Sequence, residues 1–263
     1  PGAAVVDAAG YVRPVGKGTA EVVATLDGRE ARARIVVEPR EVRSWDFAQD
    51  VGPIFTKAGC NTGACHGRAD GQNGFHLSLF GYDPDGDLAA VVRGDAGRRI
   101  SRTDAKRSLL VLKATGEAPH GGGPRIARDS SDYQTLVDWI RAGAPRILGK
   151  PRPDFTRLVI EPASAPMAGP GPIRLRVLAE DGEGTRRDVT RQSVYKSLDD
   201  STAAVDATGR AELLRRGEAD VVVRFGSLVE TTRLSTPVNP DLAFDFAALP
   251  RTNLIDDHLF RRL

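Results

Sequence analysis

Gly59-Cys60-Asn61-Thr62-Gly63-Ala64-Cys65-His66-Gly67 holds the only two cysteines of the 263-residue chain, with four residues between them and a histidine directly after the second. Two thiols beside one imidazole admit three chemistries. A c-type haem is fixed by thioether bonds from two cysteines while the next histidine reaches the iron. The commoner spacing has two intervening residues. The four here are small or turn-forming, and Gly63 is free to take positive φ, so a wider loop is sterically sound. A disulfide would close a six-residue ring and stabilise little, about 2 kcal/mol. A structural zinc site needs four ligands, so His76 or His120 would have to join Cys60, Cys65 and His66.

Upstream, Ser44 can cap a helix in which Phe47, Val51, Ile54, Phe55 and Ala58 fall near helical spacing. Pro53 would end or kink it. Downstream, Ser131 and Gln134 have capping-box spacing, and Leu136, Trp139, Ile140 and Gly143 share one side. Gly143 and Pro145 supply the stop.

These two ends resemble the first and last helices of a small class I cytochrome c, on Asp50-Val51-x-Pro53-Ile54-Phe55 and Leu136-x-x-Trp139-Ile140-x-x-Gly143-Ala144-Pro145. The interior is more particular: Gly74-Phe75-His76-Leu77-Ser78-Leu79-Phe80-Gly81-Tyr82-Asp83-Pro84, Gly97-Arg98-Arg99-Ile100, Ser108-Leu109-Leu110 and Pro119-His120-Gly121-Gly122-Gly123. Together they resemble the planctomycete-type cytochrome c domain, which carries the four-residue cysteine spacing. The resemblance implies one covalent haem c on Cys60 and Cys65 with His66 as proximal ligand. It further implies flanking immunoglobulin-like modules and a large downstream domain, which would be the redox partner.

In a class I cytochrome the distal ligand lies in the loop before the last helix, which here contains His120. His76 is the competitor, although Phe75, Leu77 and Leu79 alternate around it as in a strand. Met167, the only methionine, follows the last helix in a Pro/Gly-rich stretch, and His258 lies in the terminal helix. Phe75, Phe80, Tyr82, Leu109, Leu110, Leu112, Trp139 and Ile140 are candidates for an apolar haem pocket, with Phe80 and Trp139 foremost. Arg98, Arg99 and Lys113 are candidates for pairing with propionates.

Outside this segment the chain repeats itself at an offset of 199 residues. Asp7, Gly10, Gly18, Ala20, Val22 and Val23 recur as Asp206, Gly209, Gly217, Ala219, Val221 and Val222, within runs that alternate apolar and polar. Strand-like runs cover Arg157 to Glu161, Ile173 to Leu178, Val194 to Leu198, Ala203 to Val205, Ala219 to Phe225 and Val229 to Leu234. With Asp188-Val189-Thr190, Val194-Tyr195-Lys196-Ser197, Ala204-Val205-Asp206-Ala207-Thr208-Gly209 and Gly217-Glu218-Ala219-Asp220-Val221, residues 155–237 resemble the group 2 bacterial immunoglobulin-like domain, Tyr195 standing where that family often has Trp. Residues 1–40 match only its second half, so upstream strands are expected to be missing, or the ribbon to pack elsewhere on the chain.

The expected fold class is therefore multidomain α+β. A mainly α, class I cytochrome c-like domain over 43–147 lies between the N-terminal β segment and a C-terminal Ig-like β-sandwich, and 240–263 forms a linker and the start of a truncated further domain. With 37 basic and 35 acidic residues, scattered and nearly balanced, nothing marks a nucleic-acid partner. No run approaches the roughly 18 apolar residues of a membrane helix. The expected function is electron transfer in a larger exported, periplasmic protein. A haem sensor or enzyme with an open distal side is an alternative, and so is a cofactor-free adhesion module with a Cys60–Cys65 disulfide. No hydrolase triad or phosphate loop stands out.

Overall fold

A β-hairpin with a two-residue turn needs positive φ at its tip, and Asp27 (φ 49°) and Gly28 (φ 75°) provide it between strands Gly18–Leu26 and Arg29–Val37. The computed structural model describes residues 2–7, 10, 12–38, 44–166, 172–236 and 249–262. They form two units, 1–44 with 148–150, and 45–147 with 151–263.

The first unit contains that hairpin and a shorter one, Ala4–Val6 with Val12–Pro14. The 199-residue repeat holds in three dimensions. Gly18 pairs with Val37 and Leu26 with Arg29, just as Gly217 pairs with Thr236 and Phe225 with Leu228. Ala4 pairs with Pro14 as Ala203 pairs with Leu213. Gly10 (φ 78°) and Gly209 (φ 81°) both turn back onto the carbonyl of an aspartate three residues earlier. The environments differ. Val221, Val223 and Leu234 are fully buried, whereas their counterparts Val22, Ala24 and Ile35 are half-buried or exposed, and Leu26 is 75% exposed.

In the second unit, residues 155–236 build three small sheets around one apolar core. Strand Arg176–Asp181 lies antiparallel between Phe155–Glu161 and Arg186–Asp188. Gly217–Phe225 lies between Val194–Ser197 and Leu228–Thr236, which also pairs in parallel with Ser164–Pro166. Arg210–Leu213 joins Ala203–Val205 and Pro172–Arg174. Period-2 alternation sends Ala219, Val221, Val223 and Phe225 inward, where they meet Leu158, Ile160, Leu175 and Val177.

Residues 45–147 carry four short helices: α1 Gly52–Lys57, α2 Pro84–Val92, α3 Leu109–Thr115 and α4 Ser131–Arg141. Their apolar sides meet around Phe47, Ile54, Leu77, Leu136, Trp139 and Ile140. Pro53 opens α1 instead of ending it. The residues before it, Phe47–Val51, form a separate π turn capped by Asp46, whose carboxylate accepts the Ala48 N–H at 2.9 Å. Ser130, one residue before the expected cap, accepts the Tyr133 N–H at 3.1 Å to start α4. The segment's ends meet where the Phe47 N–H donates to the Arg146 carbonyl at 2.8 Å.

The expected fold class does not hold. Among the described residues strand outweighs helix, 34% to 24%, in small, unclosed sheets. The four helices, of 6, 9, 7 and 11 residues, leave most of 45–147 in turns and loops, and this is not a mainly α, class I cytochrome c-like domain. Glycine and proline at close intervals are the physical reason: Gly116 (φ 79°) stops α3 and Gly143 (φ 96°) stops α4. His76 is not in a strand either, its neighbourhood showing only an isolated Gln72–Phe75 bridge.

Residues 254–262 form α5 (Leu254–Arg262), with Asn253 Oδ1 accepting the Ile255 N–H at 2.8 Å and Leu254 and Ile255 exposed. Residues 240–248 and Met167 lie outside the described residues. No helix among the described residues is long and apolar enough to cross a membrane.

Candidate functional site

The cysteine stretch follows α1 and winds back on itself through successive backbone turns. Cys60 N–H donates to the Phe55 carbonyl (2.8 Å), Cys65 N–H to Thr62 (2.9 Å) and His66 N–H to Cys60 (2.9 Å), while the His66 carbonyl accepts from Leu77 (2.8 Å). Gly59, not Gly63, takes the positive φ, at 73°. Gly67 is where the winding is tightest, since a Cβ there would stand 2.1 Å from the Asn61 carbonyl oxygen. Both thiols are free.

His120 is carried by the loop between α3 and α4. The loop leaves α3 at Gly116 and is tied back by Ala118 N–H to Leu112 (3.0 Å) and by Arg125 N–H to Ala114 (2.8 Å). Lys113 Nζ donates to the Pro119 carbonyl at 3.0 Å, fixing the approach to the histidine.

These two stretches and α3 enclose a mostly apolar cavity of about 590 Å³. Cys60, Cys65, His66 and His120 line it, with Phe75, Leu77, Leu109 and Leu110 as apolar walls and Arg98, Arg99, Lys113 and Arg125 as cations. The rings of His66 and His120 stand 6.1 Å apart, centroid to centroid, with their planes within 10°. That is too far for ring-on-ring contact. Two imidazole nitrogens on opposite sides of one shared metal, each about 2.0–2.1 Å from it, would put the ring centroids roughly 6 Å apart.

The tautomers suit that arrangement. His66 Nδ1 is 3.0 Å from the Phe75 carbonyl and His120 Nδ1 is 3.0 Å from the Gly123 carbonyl. A carbonyl only accepts, so each Nδ1 carries a proton, and an imidazole in its neutral form then keeps the lone pair on Nε2. Burial, above all, holds the His66 pKa below the ordinary histidine value, so its imidazole is neutral at neutral pH.

Among the described residues no three His, Cys, Asp or Glu side chains converge to hold a metal. A protein-only zinc site on Cys60, Cys65, His66 and His120 is thus not formed. A metal between the two imidazoles would need its remaining donors from a non-protein ligand. The apolar cavity, the facing imidazoles, the free thiols on the same wall and the cationic lining all fit a haem.

The other sequence candidates fall elsewhere. Trp139 is buried behind the cavity, 5.5 Å from the Phe47 ring, its indole N–H donating to the Pro145 carbonyl at 2.9 Å. Phe80 faces the β module, where the Arg224 guanidinium lies 4.2 Å over its ring. Neither lines the cavity. His76 lines a separate 260 Å³ pocket with Asp83, Asp87 and Tyr82, and His258 is exposed on α5. Arg98 pairs with Asp95. Sequence reading passed over Arg125, whose Nη2 lies 4.0 Å from Cys65 Sγ. An arginine two residues beyond a glycine run carries no signal of its own until the loop is folded.

Burial pushes the Cys60 thiol up from 9.0 to about 11, with Cys65 adding to the rise and Arg125 opposing it. The folded chain therefore holds a proton that the unfolded chain releases above about pH 9. Stability of the unloaded protein is lost as pH rises from there towards 11. At pH 8 the folded Cys60 presents about a hundredfold less thiolate than in urea-unfolded chain. Iodoacetamide labelling followed by peptide mapping is expected to show that slowing at Cys60, and equal rates in the two states would contradict it.

No family model matches the chain. A stretch of 63 residues is 41% identical to an S-layer-related protein of Niallia circulans, covering 24% of this chain and 4% of that protein. The chain therefore spans a small fraction of that relative's length.

Proposed function

We propose that residues 43–147 hold one covalent haem c, bonded through Cys60 and Cys65 and ligated by His66 and His120, and that the segment transfers electrons within a larger exported protein. The observation that carries this reading is the pair of near-parallel imidazoles, 6.1 Å apart centroid to centroid, that line one apolar cavity, each with its Nδ1–H donating to a backbone carbonyl. The pattern of Cys60, Cys65 and His66, with its resemblance to planctomycete-type cytochromes c, points the same way.

When bound, the haem supplies a one-electron iron couple. The chain's residues do the rest. With His66 and His120 both spent on the iron, no position would remain open for a substrate. This favours electron transfer over a sensor or a haem enzyme. Phe75, Leu77, Leu109 and Leu110 exclude water, and Lys113 and Arg125 offer cations to the carboxylates of the ligand. Two imidazoles in place of a His/Met pair favour a comparatively low potential. The redox partner in this reading is a downstream domain of the same polypeptide. Likeness to an S-layer-related protein and the extracytoplasmic chemistry of haem c both support a site outside the cytoplasm, the periplasm in the finer reading.

Protein co-expressed with a haem c maturation system should give a c-type pyridine haemochrome and sharp low-spin bands that added ligands leave unchanged. His120→Ala is expected to convert the iron to a high-spin, ligand-accessible form while covalent haem stays. Absence of a c-type haemochrome sinks the haem reading. An unchanged low-spin spectrum in His120→Ala sinks the assignment of His120.

A further inference from the structure

We propose that Arg99 is a positioning residue for the His66 imidazole and the fixed cation that sets the reduction potential of the site, an inference that rests on the haem reading above. Arg99 is only 6% exposed, yet it lines the cavity. Its guanidinium lies 4.5 Å over the Phe75 ring, and that ring lies 4.6 Å from His66 at 53°. The same Phe75 supplies the carbonyl that fixes the His66 tautomer. Arg99, Phe75 and His66 thus form one chain of contacts.

The arginine is seated with care. Nη1 donates to the Ala90 carbonyl and Nη2 to the Gly74 carbonyl, both at 3.2 Å, tying the end of α2 to the wall beneath His66. Its own carbonyl accepts from Leu110 N–H at 3.0 Å, which ties it to α3. Gly94 makes the room, since a Cβ there would stand 2.9 Å from Arg99 Nη1 and 2.6 Å from the Ala90 oxygen.

Its charge is poorly compensated within the protein. The ion pair with Asp95 spans 3.8 Å, and the Asp95 side chain is 46% exposed. An apolar side chain of similar size would cover Phe75 without the desolvation penalty of a buried cation. What the charge adds is a field at the metal. Reduction lowers the charge of the iron by one, and a nearby fixed cation favours that state. The guanidinium–Phe75 and Phe75–His66 separations put the charge within roughly 12 Å of a metal on His66, where at an effective dielectric of about 20 it shifts a one-electron equilibrium about tenfold.

The test uses the full chain matured with haem c, in wild-type, Arg99→Gln, Arg99→Lys and Phe75→Leu forms. Haemochrome yield, midpoint potential and the low-spin electron paramagnetic resonance signature are read for each. Arg99→Gln is expected to keep covalent haem, to lower the potential by about 59 mV, the one-electron equivalent of tenfold, and to shift the low-spin signature. Arg99→Lys should restore most of the potential but not the signature, because an ammonium cannot bridge two carbonyls as a planar fork does. Phe75→Leu should shift the signature with little change in potential. Wild-type potential and signature in haem-loaded Arg99→Gln overturn the proposal. If Arg99→Gln does not fold, wild-type signatures in both Arg99→Lys and Phe75→Leu overturn it. A wild-type chain that takes up no haem c defeats the underlying reading instead.

Discussion

Replacing both Cys60 and Cys65 with serine is expected to abolish covalent haem altogether: after maturation, the variant should lose all its colour on denaturation and acid–acetone extraction, while the wild type keeps it. A thioether survives unfolding, whereas ligation by His66 and His120 depends on a cavity that unfolding destroys. Serine keeps the Cβ and nearly the shape of cysteine, so the backbone turns that wind the loop remain available. The cost lies at Cys60, which packs against the helical core, and a hydroxyl placed there without a partner costs about 1–3 kcal/mol. At Cys65 the 4.0 Å contact with Arg125 is lost. Circular dichroism should therefore match the wild type while the covalent pigment falls to background. Each single variant should keep a one-thioether haem whose haemochrome band is displaced from that of the wild type. Colour that survives extraction in the double variant would mean that attachment runs through other residues, and the whole assignment of the loop would fall.

How much of this was legible beforehand depends on whether the signal was local. The 199-residue repeat was readable because strand alternation and turn glycines are local, and the paired registers of Gly18–Val37 and Gly217–Thr236 show the same hairpin twice. His120 was singled out by its place in a glycine loop, and the fold brings it opposite His66. The helices were less legible. Pro53 reads as a stop by its missing donor, but the same property suits the first turn, and with Asp46 capping the turn before it the segment divides there. Trp139 and Phe80 were read as candidates for an apolar haem pocket. Burial does not say which side of a core a ring faces, and Trp139 faces Phe47. Short three-residue strands such as Arg186–Asp188 carry too few residues for a period to show. The expectation of a mainly α segment failed for a related reason: helical ends are written in caps and apolar spacing, but the long turns between them are fixed by tertiary hydrogen bonds from residues far apart in sequence.

Asp50→Ala is expected to destabilise the second unit by about 2–4 kcal/mol, because the carboxylate joins the helical segment to the β module at a point where water is scarce. Asp50 accepts from Arg152 Nη2 at 2.5 Å and Arg187 Nη1 at 3.1 Å, and also from its own turn through Asp46 N–H at 2.9 Å. Arg187 further donates to the Gln49 carbonyl at 2.6 Å and lies 4.8 Å over the Phe155 ring, at the edge of the β core. Gln49 Nε2 reaches the Pro153 carbonyl at 2.8 Å. Removing the acid leaves two guanidinium groups facing each other across a partly buried seam, with Arg187 Nε already lacking a partner. That is costlier than losing an exposed pair, which is worth 1 kcal/mol or less. Both arginines keep some contact with solvent, their side chains 28% exposed, so the loss stays below that of a fully buried pair. Urea unfolding should show a lower midpoint. Arg187→Met removes the charge but keeps its cover over Phe155, so in that background Asp50→Ala should cost at least 1 kcal/mol less. An unchanged midpoint, or equal losses with and without Arg187, would show that the Asp50 carboxylate does not help to hold the two parts together. The charge cluster would then have no part in aligning the cavity-bearing segment on its β support.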